Sequence, residues 1–98
     1  MSLALSEAQR RIVLDILGAH LPPGVSVRAF GSRAKNSHRP GSDLDLAVQA
    51  ARRLTLAELA DLAEAFSESD LPFKVDIVDI TSSDPAFQKI VERDGVEL

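Results

Sequence analysis

Residues 25–48, VSVRAFGSRAKNSHRPGSDLDLAV, carry the reading that decides the fold. Two β-prone alternating runs, 25–30 and 43–48, enclose a polar stretch at 31–42 rich in Gly, Ser and Arg. Alternation at period two places Leu44, Leu46 and Val48 on one face of a strand. The intervening 12 residues suit a loop or a short helical turn, and they are enough for the two strands to run antiparallel.

Downstream, Thr55 and Glu58 have capping-box spacing and predict a helix over 56–69, with Leu54 and Leu59 at staple positions. Leu59, Leu62, Ala63 and Phe66 form its inward stripe. Leu71-Pro72 breaks the helix, and KVDIVDI at 74–80 is a third strand. A helical crossover between strands two and three favours a parallel pair. Asp84-Pro85 then opens a last helix whose Phe87, Ile90 and Val91 face inward and which Gly95 stops. Residues 96–98 can add a short edge strand. Upstream, Ser6 and Gln9 cap a helix over 6–20, with Ala8, Ile12, Val13, Ile16 and Leu17 as the buried stripe. Leu21-Pro22-Pro23-Gly24 turns the chain into the first strand. The whole reads as one α/β domain over 1–98, a small mixed sheet of three main strands flanked by helices.

Composition narrows the function. The 98 residues hold 11 Lys and Arg against 15 Asp and Glu, a net charge of −4, which argues against direct nucleic-acid binding. The basic residues Arg28, Arg33, Lys35, His38 and Arg39 cluster in 28–39, however, so the balance is local as well as global. The absence of Cys excludes disulfides, thiolate zinc sites and cysteine nucleophiles. His20 and His38, far apart, read as having no chemical role. No apolar run approaches the ~20 residues that span a bilayer, and MSLALSEAQRR lacks a signal-peptide core. The expectation is a cytoplasmic protein with no membrane partner.

The acidic residues carry the chemistry. Asp43 and Asp45, two apart on a strand, project from the same face, and the crossover places Asp76 on the neighbouring strand. Three such carboxylates repel one another unless protons or cations neutralise them, and nothing nearby in sequence offers a fixed set of basic partners. Oxygen ligands suit Mg²⁺, which shares its coordination with substrate phosphates. A pair of ions about 3.5–4 Å apart is the usual clamp for displacement at phosphorus. Gly31 and Ser32 follow strand one directly, where a turn can aim N–H groups and a hydroxyl at a phosphate. Arg33, Lys35 and Arg39 offset further phosphate charge. Asp79, opposite in parity to Asp76, reads as structural, and Glu7, Asp15, Glu58 and Asp61 as solvated helix faces.

Taken singly, a Gly-Ser pair is a turn and an Asp-x-Asp pair is a solvated face. Together, Gly31-Ser32, ten intervening residues, Asp43-Leu44-Asp45 and a later strand Asp form a string that resembles the polymerase β-like nucleotidyltransferase superfamily. GSRAKNSHRPGSDLDLAV and LPFKVDIVDI resemble, more narrowly, its minimal nucleotidyltransferases (MNT), small prokaryotic proteins often encoded beside a HEPN-domain partner. The resemblance implies a polymerase β-like core, with Asp43 and Asp45 holding two Mg²⁺ ions. It implies that Asp76 holds the catalytic ion and helps deprotonate the attacking hydroxyl, and that Gly31, Ser32 and Arg33 bind the triphosphate. The implied activity is transfer of AMP from ATP to a hydroxyl, a tyrosine of a HEPN toxin, by its antitoxin. Two other expectations stay open beside it. One is a catalytic subunit acting on a small molecule held by a helical substrate-binding partner; the other is a non-catalytic antitoxin that neutralises by binding.

Overall fold

Capping boxes start both long helices. In α1 (Glu7–His20), Ser6 Oγ accepts the Gln9 N–H at 3.1 Å while the Gln9 side chain accepts the Ser6 N–H at 3.0 Å. In α2 (Leu56–Ser67), Thr55 and Glu58 make the same exchange at 3.1 and 2.8 Å. Each box satisfies N–H groups that have no partner inside the helix. Arg52 adds a fork on Glu58, at 2.9 and 3.1 Å, so Glu58 is not the merely solvated residue expected. The Arg52 hydrogen bond, aided by Thr55, holds the Glu58 carboxyl down at about 2.

The computed structural model describes residues 5–31, 42–81 and 83–98. Its strands are β1 (Ser26–Phe30), β2 (Leu44–Gln49), β3 (Val75–Asp79) and β4 (Val96–Glu97), with α3 (Pro85–Asp94) between the last two. The sheet order is β3-β2-β1-β4. β1 pairs antiparallel with β2 and with β4, and β2 pairs parallel with β3 across the α2 crossover. The mixed sheet is therefore the expected one, and the C-terminal strand forms. Gly95 lets that strand dock: its φ of −78° is ordinary, but a Cβ there would collide with Val91 O and stand 3.2 Å from Ala29 O.

Both faces of the sheet are covered. Val13 and Leu17 of α1 and Leu62 and Phe66 of α2 pack on Ala29, Leu44 and Leu46. On the other face α3 brings Val91 and Phe87 against Ala47, Ile80 and Phe30, with the two Phe rings edge-on at 6.1 Å. Three residues expected inside lie outside. Ala8 and Ala63 are exposed, and Ile90 is 48% exposed. Short strands cover only a narrow band of each helix, so positions on the flank of a stripe stay in water; Ile90 flanks the Phe87–Val91 line in this way.

Asp79 is structural, as its parity suggested. Its carboxylate accepts the Leu54 N–H at 2.7 Å and the Thr81 N–H at 2.9 Å, while Thr81 Oγ1 accepts from Ala50 N–H at 3.1 Å. The chain leaving β2 is thereby tied to the end of β3. Burial alone would raise the Asp79 carboxyl, but hydrogen bonds from Thr81 and Leu54 outweigh it and leave it below the usual range. An acid lowered on folding stabilises above its unfolded value of about 3.9, and that contribution disappears as pH falls through the folded value. Asp79→Ala is expected to cost about 2 kcal/mol by stranding two N–H donors. In a chain this size that is a fall of about 8–16 °C in Tm, with a shallower loss of stability in acid than the parent shows.

Candidate active site

Backbone pairing sets the site. Leu44 N–H donates to Lys74 O at 2.9 Å, and from there β2 and β3 run in parallel register with Asp45 directly opposite Asp76. Leu44 and Leu46 point into the core, so Asp45 between them points to the opposite face, the one that carries Ala47 and α3. Phe30 pairs with Asp45 from the other side. The burial of the leucines thus aims the carboxylates: the same alternation that builds the core turns both aspartates outward together.

Asp43 lies just before β2 and is exposed, not on the strand as expected, because pairing begins only at Leu44. It still acts on its neighbour. Burial pushes the half-buried Asp45 carboxyl above the usual carboxylate range, and repulsion from Asp76 and then Asp43 adds to the rise. The structure therefore brings all three within electrostatic reach.

Gly31 closes the group on its β1 side. Its φ of 78° is left-handed, and a Cβ at this position would collide with Asp45 Oδ2 and lie 3.3 Å from Asp45 Cγ. Only glycine lets the turn leaving β1 run this close to the carboxylate. Ser32 and Arg33, expected to bind phosphate, lie outside the described residues, as do Lys35, His38 and Arg39.

One feature of the site escaped sequence reasoning. Lys74 Nζ stands 3.4 Å from Asp76 Oδ1, so a basic partner does exist. The i, i+2 spacing within the strand expected over 74–80 was the available signal, since on a strand it puts both side chains on one face. A cleft of about 440 Å³ between α2 and β3 has Leu56, Lys74, Asp76 and Ile77 in its wall, so solvent reaches the third carboxylate from the edge of the sheet.

Among the described residues no three His, Cys, Asp or Glu side chains stand close enough to hold a metal ion as they are. The donor chemistry nonetheless fits Mg²⁺. The ion commonly takes one or two carboxylates, completing its shell with water and phosphate, and Asp45 and Asp76 face each other across β2 and β3.

The topology also separates this site from other phosphate-binding folds. In P-loop and dinucleotide-binding folds the glycine turn feeds a helix that crosses to a parallel strand. Here the strand before Gly31 pairs antiparallel with β2, and Asp45 and Asp76 sit side by side on β2 and β3. That is the plan of a nucleotidyltransferase core. The chain belongs to the polymerase beta nucleotidyltransferase family, which matches residues 25–98. It is 40% identical over 91 residues to the Haemophilus influenzae protein described as probable protein adenylyltransferase MntA, covering 93% of this chain and 79% of that one. It superposes with a TM-score of 0.76 on a toxin–antitoxin crystal structure with AMP-PNP, at 28% identity over 89% of this chain and 69% of the other. A complex of tri-AMPylated Shewanella oneidensis HEPN toxin with MNT antitoxin matches with a TM-score of 0.65 at 26% identity, over 89% and 66% of the two chains. Among the described residues no helix is long and apolar enough to cross a membrane.

Proposed function

We propose that this chain transfers AMP from ATP to a tyrosine hydroxyl of a HEPN-type toxin and is that toxin's antitoxin. The observation that carries the proposal is the pairing of Asp45 with Asp76 beside the left-handed turn at Gly31. The AMP-PNP and tri-AMPylated toxin complexes among its structural neighbours support the nucleotide and the acceptor. The 98 residues contain no Tyr, so a tyrosine acceptor lies outside them.

In this reading Asp43, Asp45 and Asp76 hold two Mg²⁺ ions, and Gly31, Ser32 and Arg33 hold the triphosphate. Mg²⁺ supplies charge neutralisation at the phosphates. Asp76, reachable from the sheet edge, orients the acceptor hydroxyl and helps remove its proton. The acceptor oxygen bonds to the α-phosphorus, the α–β bridging bond breaks, and pyrophosphate leaves. Asp45, on the inner strand β2, fixes the nucleotide's position against that attack.

Incubation with α-labelled ATP, Mg²⁺ and the HEPN partner is expected to place label on a toxin tyrosine. Label that stays absent with the partner present, or that survives Asp43→Asn unchanged, overturns the proposal. A second measurement needs no partner. Mg²⁺ with AMP-PNP at 100 times its Kd stabilises the folded chain by about 2.7 kcal/mol, or roughly 10–20 °C in Tm. Asp76→Asn is expected to weaken that response, and an equal shift in parent and variant removes Asp76 from the ligand set.

A further inference from the structure

Among the described residues, Lys74 is the one basic side chain in an ion pair with any of the three carboxylates. It lies two residues before Asp76, just ahead of β3, an edge strand, and its ammonium reaches the Asp76 carboxylate at 3.4 Å. The pair is open to solvent, with side chains 73% and 40% exposed, and so can be exchanged for another partner. It also lies on the acid whose charge helps to raise Asp45. An ammonium within 4 Å of a carboxylate oxygen offsets the charge that would draw a divalent ion to it. Ion and ammonium therefore contend for the same oxygen.

We infer that Lys74 is a positioning residue: its ammonium holds the Asp76 carboxylate while no divalent ion is bound, and an entering ion displaces it. The inference rests on the reading of Asp76 as a metal ligand. Lys74 keeps the third carboxylate oriented during that interval, and it weakens the affinity for a bare ion. Full occupancy then depends on the additional oxygens that a triphosphate brings.

The test is binding of Mn²⁺ alone, without nucleotide, followed by water-proton relaxation. Lys74→Met is expected to bind Mn²⁺ about two- to fivefold more tightly than the parent, the range for loss of an exposed ion pair. Lys74→Arg, which keeps the charge, is expected to stay near the parent. Lys89→Met, which removes the same charge from α3, is expected to leave affinity unchanged. An unchanged Lys74→Met, tightening by Lys74→Arg as well, or equal tightening by Lys89→Met overturns the inference. Failure of every form, parent included, to bind Mn²⁺ instead overturns the metal reading on which it rests, so the two failures are told apart.

Discussion

Asp45→Asn abolishes nucleotide transfer and at the same time makes the ligand-free protein more stable; these opposite effects are the expected result of one substitution. The loss follows from position. Asp45 is the central carboxylate, opposite Asp76, and is the one whose charge both neighbours disturb. Charge stabilisation at phosphorus by held metal ions is worth several kcal/mol, so removing the proposed central ligand is expected to cost about a thousandfold or more in rate. The gain follows from electrostatics. Burial and two like charges make ionised Asp45 costly in the folded state. An acid raised on folding is least harmful when protonated, so the ligand-free parent loses stability as pH climbs from the unfolded value near 3.9 through the higher folded value. The neutral amide escapes that loss. A rise of about 2–4 °C in Tm at neutral pH, equivalent to ~0.5 kcal/mol in a chain this size, is the magnitude to look for. Thermal melts of both forms across pH ~4–7 should converge toward the acid end. A variant that melts lower than the parent at neutral pH would show that the three acids do not repel as described.

Gly31→Ala should damage both stability and activity, by separate routes. A left-handed φ of 78° costs an alanine roughly 1–2 kcal/mol, or about 4–16 °C in Tm. The new methyl also enters the space of Asp45 Oδ2. That oxygen is the end of a side chain and can rotate away at modest cost, so the collision damages the site more than the fold. Displacement of a positioned group by ~1 Å is worth about a hundredfold in rate. The double variant Gly31→Ala with Asp45→Asn separates the routes: it should keep the melting deficit, while the second substitution lowers activity by less than it does alone. Full additivity in activity would mean that the methyl does not act through Asp45.

Much of this was legible in the residues. Capping pairs at Ser6–Gln9 and Thr55–Glu58 are local, three residues apart, and appear in the structure as read. Strand alternation exposed the Leu44–Leu46–Val48 face, because burial selects side chains at period two. Helix stripes were read too wide, at Ala8, Ala63 and Ile90, since periodicity shows which side is apolar but not how much sheet is there to cover it. Parity alone separated Asp76, which faces Asp45, from Asp79, which ties the ends of β2 and β3 together. The Lys74–Asp76 contact, by contrast, rests on side-chain geometry just ahead of β3.

What the chain's order of residues settled was local and periodic: where helices start, which strand positions turn inward, and which carboxylates share a face. These follow from interactions between near neighbours and from the fixed pitch of helix and strand. Tertiary structure alone decided the register that puts Asp45 opposite Asp76, the contact of Gly31 with Asp45, and the grip of Asp79 on Leu54. Each of these joins segments distant in the chain, and their spacing depends on how two leucines, a crossover helix and a covering helix pack around one sheet.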